Sequence, residues 1–552
     1  MSLKRGAAFL CAAACLTACA QTDALAPSRS REYADFLIAR VANMSGDFTV
    51  ASQRYDAAVS QSADDPALVN GAIAAALSSG DVARARTLAR MTPSSGEAPP
   101  LALLVRATDD LSRARYGAAM NELERMQSGP ADALVARFLQ SWVEVGDGDA
   151  DSAAVALDQL SAMRPYGGLL AYQRALTLDY AGHDQEALEA YALAEQASFW
   201  LAPAVERHAD LRARAGSVEE ARAILNSAPS RNDSEALARD LERLNEEGRV
   251  AVTELTPARG AAIALFGLGA IFLQERDEAR GLATLTLALM LDPDLDPARL
   301  SFAQAQAELG HFAEARAALA QVRRASPYYL GAQIMTAWVL KDEGREAEAL
   351  ALAQQVAAEG ERGQRALADM YRSLDQYGEA EALYSQLIDG GLTQEWRLYY
   401  YRAATRERLG RWPEAEMDLQ RALELSPEQP EVMNFLAYTW VDRGEYLQEA
   451  LAMLRRAVEQ RPSSAAIIDS LGWAYYRLGE YDKALEHLER AVELMPADAT
   501  LNDHLGDLYW RLERYTEARF QWRRALAGEP EDVAAIEAKI ERGLPPTRSA
   551  TR

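Results

Sequence analysis

Five arginines, Arg397, Arg402, Arg406, Arg408 and Arg411, stand in one short stretch with Glu407 as the only acid among them, beside Tyr399, Tyr400 and Tyr401. Guanidinium groups grip carboxylates in a two-point fashion, and neighbouring rings add apolar contact. In a chain of net charge −24, this reads as an isolated positive patch suited to an acidic helix or a C-terminal carboxylate. Catalytic chemistry, by contrast, is not spelled out: there is no HExxH, GxSxG, GxxxxGK or CxxC pattern. Gly267-Leu268-Gly269 is a fragment of a glycine motif, and close helix packing explains it. The five histidines, His183, His208, His311, His487 and His504, include no pair at i, i+4 spacing, so no metal site is expected. His487 and His504 are expected to be partly exposed on helices. The many Asp and Glu residues are read as solvated helix faces and i, i+4 partners. No catalytic residue is assigned, no cofactor is expected, and the chain is read as not an enzyme.

The elements that would carry such residues are clearest from Ala465 to Asp532, where two 34-residue blocks repeat one pattern. Leu471, Gly472, Tyr475, Ala484, Leu488, Ala491 and Pro496 recur as Leu505, Gly506, Tyr509, Ala518, Trp522, Ala525 and Pro530. Period and residue types resemble the tetratricopeptide repeat, a helix-turn-helix unit. Small residues at Gly472 and Ala484 let antiparallel helices approach to roughly 8–10 Å, and the proline ends the second helix. The fold class expected is all-α, a right-handed superhelical solenoid of such hairpins in one run or two segments.

That resemblance implies a concave groove lined by the first helices of the repeats. Its register puts Asn434, Asp469 and Asp503 in one row and Tyr438, Trp473 and Asp507 in a second. Tyr476 and Trp510 make a third, and Asp442, Arg477 and Arg511 a fourth. Aromatic anchors flanked by charges suit protein or peptide recognition; packing of the same rings against the next repeat is the alternative. Arg402 and Arg406 depart from the repeat pattern, occupying the positions of Leu471 and Tyr475. Either that helix is rotated or the two arginines serve a partner.

At the N-terminus, Lys4 and Arg5 precede an apolar run from Gly6 to Leu16, too short to span a bilayer and of the length of a secretory signal. Leu16-Thr17-Ala18-Cys19 resembles the lipobox of bacterial lipoproteins, which implies acylation of Cys19; cleavage after Ala20 as an ordinary Ala-x-Ala site is the other reading. Ala20, where an aspartate would retain a lipoprotein in the inner membrane, implies the outer membrane of a Gram-negative envelope. Cys11 and Cys15 lie in the signal, so a processed chain keeps Cys19 alone and forms no internal disulfide. Loss of Lys4 and Arg5 takes the net charge to about −26, a surface that repels nucleic acid.

The layout expected is a signal peptide at 1–18, a lipidated N-terminus and tether at 19–30, and degenerate hairpins at 31–229. An irregular joint follows at 230–261, then tandem repeats at 262–531, a capping helix at 532–543 and a disordered tail at 544–552. Turns are placed at Gly46-Asp47-Phe48, Gly80-Asp81, Arg115-Tyr116-Gly117, Gly146-Asp147-Gly148, Gly182-His183-Asp184 and Ala215-Gly216-Ser217. Later units start near Asp296, Leu330, Glu361, Trp396 and Pro430, and the Pro430 unit carries one extra residue in its turn, Gly444-Glu445-Tyr446-Leu447.

With Gly260-Ala261-Ala262, LGAIFLQERDEA at 268–279 and the closing SLGWAYYRLG and HLGDLYWRLE segments, the chain resembles bacterial outer-membrane lipoproteins built of these repeats. The long LbcA-like class is nearest, and the short NlpI-like class more distant. The resemblance implies a lipid-anchored periplasmic adaptor that recruits a carboxyl-terminal processing protease to cell-wall hydrolases. The alternative is a structural assembly or secretion factor of the outer membrane, pilotin-like or an exopolysaccharide secretion scaffold. Partners are then periplasmic proteins or peptides, with the membrane touched through the lipid only.

Overall fold

The computed structural model describes residues 27–545 except 63–64, 94–97, 127–129, 161–165, 198, 228–233 and 251. Among the described residues there are thirty helices and no strand. Most form antiparallel hairpins, and local chemistry explains where each helix starts and stops. Asp47, Asp65, Asp81, Asp277, Asp498 and Asp532 cap helix N-termini by accepting from backbone N–H groups, each such cap being worth about 1 kcal/mol. Pro66, Pro100, Pro257 and Pro430 open helices, where their missing N–H is no loss. The first helices of many hairpins run into a left-handed turn residue such as Gly80, Gly182, Gly410 or Gly479.

The chain divides into two compact units, Met1–Leu352 and Ala353–Arg552, the division falling inside the helix Glu346–Ala357. The segment 230–261, expected from the sequence as an irregular joint, lies within the first unit. There the helix Ser234–Glu247 adds a third layer to the hairpin before it, burying Leu237 and Leu244 with Val205, Ala209, Leu225 and Val250. The next helix begins at Pro257. The segment is packed, because its apolar residues recur at helical spacing and meet a ready-made apolar face.

In the first unit the chain folds back on itself. Helix Pro257–Gln274 packs against Pro130–Asp147 and Gly167–Ala181, and helix Glu278–Leu291 against Pro66–Ser78 and Pro100–Leu111. Side-chain hydrogen bonds stitch these distant segments: Ser78 Oγ donates to the Ala279 carbonyl (3.0 Å), Thr286 Oγ1 to Leu77 (2.8 Å) and Gln306 Nε2 to Ser78 (2.7 Å). Pro257–Gln274 is long and apolar enough to cross a membrane by length and composition, but 72% of it is buried inside the protein. A helix apolar all round must be covered all round. At Gly260 any β-carbon would fall within 2.2 Å of the Trp142 ring, so this position takes a residue without one.

The second unit is the regular array. Its core runs from Ala368 and Tyr384 through Leu436, Leu471, Ala484 and Leu488 to Leu505, Ala518, Trp522 and Ile536. A β-carbon on Gly472 would lie 2.7 Å from Leu488 Cγ, and one on Gly506 2.5 Å from Trp522 Cδ1, so both glycines set the helix spacing. The extra turn residue after Pro430–Arg443 is absorbed by two left-handed residues, Gly444 (φ 76°) and Tyr446 (φ 45°), before the next helix starts at Leu447. The closing helix Val533–Arg542 covers the last hairpin with Ile536.

Candidate interaction surface

Three first helices, Pro430–Arg443, Ala465–Arg477 and Ala499–Arg511, lie side by side in the second unit and carry the expected groove rows. Much of that surface is spent on joining one repeat to the next. Asp469 and His504 are both buried and pair through Oδ2 and Nδ1 at 2.8 Å. Burial disfavours the charged ring, yet the carboxylates of Asp469, Asp503 and Asp507 outweigh it and hold the His504 pKa above its ordinary value. The expectation that His504 is partly exposed is thus corrected: the acids of two repeats enclose it. Trp473 is buried too, and stacks with His504 (4.1 Å between centroids, 12°) and Tyr476 (4.6 Å, 11°).

The same economy continues toward the C-terminus. Lys539 Nζ on the capping helix reaches Asp503 (2.7 Å) and Asp507 (2.9 Å), and Asp507 also accepts from Trp522 Nε1 (2.9 Å). Burial and the neighbouring Asp503 push the Asp507 pKa up, with Lys539 and Trp522 opposing. Arg477 donates to the Asp442 carbonyl (2.8 Å), while Arg511 donates to Tyr476 Oη (3.2 Å) and the Pro545 carbonyl (2.7 Å). Trp510 packs against Tyr515 and Trp522, and its ring lies beside Gly543 at the end of the capping helix. Asp469, Trp473, Asp503 and Asp507 are therefore internal couplers of the array. A charged group in a close-packed row finds its counterion on the adjacent repeat before it finds a partner.

The basic stretch is corrected in the same way. Arg402 makes a two-point pair with Asp418 (2.6 and 2.8 Å) and donates to Ser385 Oγ, and Arg406 bridges Asp418 (2.7 Å) and Glu381 (2.9 Å). Both guanidinium groups are largely buried. Arg411 pairs with Glu381 and Glu414, and Arg408 lies over the Tyr377 ring and near Glu531. Only Arg397 stands on the surface without an acid beside it, over Trp396. The acids that hold Arg402 and Arg406, Glu381 and Asp418, come from helices Tyr377–Asp389 and Trp412–Leu425 and are invisible in a local reading of the stretch.

What stays open is a cleft of about 370 Å³ lined by Tyr400, Glu431, Asn434, Phe435, Tyr438, Arg461, Ser464, Ala466 and Ile467. It sits between the helices Trp396–Arg408, Pro430–Arg443 and Ala465–Arg477. Tyr400 and Phe435 meet edge to face at 6.0 Å. Arg461 and Glu431 pair across the rim at 3.3 Å and are well exposed. The Asn434 side-chain carbonyl oxygen is buried and has no hydrogen-bond partner. Burial and the acids Asp442, Asp469 and Asp503 push the Tyr438 pKa up to about 12, so its hydroxyl stays protonated. Apolar walls, one unpaired amide, two phenols and a charged rim can hold an extended peptide or a side chain. Asn434 and Tyr438 were legible from the repeat register; Phe435, Arg461 and Ile467 were not. Phe435 stands where the next repeats have Ser470 and His504, and that divergence was the available signal. Among the described residues no group of three or more His, Cys, Asp and Glu could hold a metal ion.

Comparison with known proteins places these hairpins. Tetratricopeptide repeat models match residues 365–430, 402–465 and 444–497. A TPR repeat-containing protein of Pseudomonas aeruginosa is 33% identical over 113 residues, which is 18% of this chain and 19% of the relative, so the match spans about a fifth of that protein. Among solved structures, the APC/C hetero-tetramer Cut9–Hcn1 is 16% identical, with 94% of this chain and 97% of that one covered at a TM-score of 0.41. A tetratricopeptide repeat protein from Parabacteroides merdae is also 16% identical, over 44% of this chain and 96% of that one, at 0.36. This chain carries tetratricopeptide repeats over residues 365–497.

Proposed function

We propose that this chain is a non-enzymatic scaffold for protein–protein interaction, with the cleft between Tyr400 and Ile467 as its peptide-binding point. The observation that carries this is the buried Asn434 carbonyl without a donor, set in an apolar, aromatic cleft on rigid repeats. An unpaired buried acceptor costs about 1–3 kcal/mol, and a peptide N–H entering the cleft would recover it. The resemblance noted from the sequence extends this to a lipoprotein anchored through Cys19 on the periplasmic face of the outer membrane. Cys19 and the signal lie outside the described residues. In that setting the scaffold is an adaptor that holds a carboxyl-terminal processing protease and cell-wall hydrolases on one tethered surface, raising their effective concentration.

The test is capture from a periplasmic extract on the immobilised chain, beside Asn434→Ala and Tyr438→Ala variants. Recovery of a protease or wall hydrolase that drops at least tenfold with either variant supports the adaptor and its cleft. Recovery of neither by the unaltered chain overturns the adaptor reading, and undiminished recovery by the variants moves the contact away from the cleft. Co-purification of an outer-membrane channel instead would favour the assembly or secretion role.

A further inference from the structure

We propose that the outer face of Pro27–Met44, the first helix among the described residues, is a lipid-contacting surface that lies on a bilayer; this rests on the anchored reading above. Tyr33 is 68% exposed, Leu37 51%, Ile38 39%, Val41 63% and Met44 82%. Positions 33, 37, 41 and 44 form one stripe along a helix, with 38 beside it. The opposite face is already occupied: Phe36, Ala39 and Ala42 pack into the core with Phe48, Ala51 and Tyr55. The helix is therefore apolar on two sides with only one covered. The end helix of a repeat array ordinarily turns a polar face outward, as Val533–Arg542 does with exposed Glu537, Glu541 and Arg542.

Three observations favour lipid as the occupant. The helix begins eight residues after Cys19, so acyl chains on that cysteine would keep Pro27 within roughly 29 Å of the leaflet. Its charge is also unlike that of the chain. Against an overall −24, Pro27–Met44 carries Arg29, Arg31 and Arg40 and only Glu32 and Asp35, and Asp35 is taken by Arg54 at 3.0 Å. Finally, Tyr33 and Arg40, the latter 5.8 Å over the Phe36 ring, have an apolar stem or ring with a polar end, the build of side chains that sit at headgroup depth.

The chain from Gln21 onward keeps every described helix and has no cysteine, since the three occur at Cys11, Cys15 and Cys19. Val41→Cys in that chain gives one site for an environment-sensitive fluorophore. An N-terminal histidine tag then tethers it to vesicles of phosphatidylethanolamine, phosphatidylglycerol and a nickel-chelating lipid. The expected result is a blue shift and a several-fold rise in emission on tethering, with quenching by brominated lipid. Both should be lost with Leu37→Asp plus Met44→Asp, while helicity and melting hold. Emission unchanged on tethering overturns the proposal, as does emission already blue-shifted without vesicles and dependent on protein concentration, which would mean a second copy covers the stripe. Acylation of Cys19 is read separately, by fatty-acid labelling of the full chain and envelope fractionation. A labelled Cys19 with a silent probe removes the lipid surface alone, and an unlabelled Cys19 with a responsive probe removes the anchor alone.

Discussion

Asp469 and His504 stand 35 residues apart in sequence and one repeat apart in space, joined by a 2.8 Å contact between two buried side chains. The pair shows how this array holds its register. Apolar packing between hairpins tolerates small slips, whereas a buried ion pair has one geometry.

The pair also makes stability depend on pH. The His504 pKa is higher in the fold than its ordinary value near 6.5, so the charged ring contributes stability that is fully present below about pH 6.5. That contribution is lost as pH rises through the raised value. Urea unfolding of the second unit, followed by tryptophan fluorescence from pH 6 to pH 9, should show stability falling with pH. His504→Gln should flatten that slope. A slope the same in both proteins would refute the assignment.

Trp522 is fully buried beneath the capping helix and donates to Asp507. Trp522→Ala should lower stability by about 3–5 kcal/mol, through the cavity and the lost donor. Chemical denaturation with a probe on the last repeat measures this; an unchanged midpoint would contradict the packing described.

Asp418 receives both Arg402 and Arg406. Asp418→Ala leaves the largely buried Arg402 guanidinium without a carboxylate and Arg406 with Glu381 alone, and should cost about 3–5 kcal/mol, whereas Arg397→Ala on the open surface should stay within about 0.5 kcal/mol. Equal effects of the two in thermal melts would mean that the arginine cluster is solvated.

Glu513 occupies the left-handed turn position (φ 62°) that Gly410, Gly444 and Gly479 fill in neighbouring repeats. Glu513→Gly removes the β-carbon clash but frees the unfolded chain, for a net gain of about 0.5–1 kcal/mol. A small rise in melting temperature is the expected readout, and a fall would place the strain elsewhere.

The hairpins were legible because each repeat writes its own core. Gly472 with Leu488, or Asp296, Glu361 and Trp396 as helix starts, needs only residues close in sequence. The chemistry of the surface was less legible, since it depends on what faces a residue. Arg402 reads as a free cation until Asp418 is seen against it, and His504 as exposed until Asp469 and Trp473 enclose it. The fold-back of the first unit had a signal in the apolar circumference of Pro257–Gln274, but which helices would cover it was not written in that segment.

That fold-back bears on the order in which the molecule can be made. Helices Pro66–Ser78, Pro130–Asp147 and Gly167–Ala181 leave the ribosome long before the residues 257–291 that they will enclose. Until those residues arrive, Trp142 and Leu169 have no lid and present apolar flanks to whatever is nearby. An array that grew hairpin by hairpin could fold as it emerged; this unit must wait, and its distant contacts slow closure and prolong exposure to aggregation. Chaperone demand during synthesis should therefore be concentrated in residues 66–256, ahead of the helix that completes them.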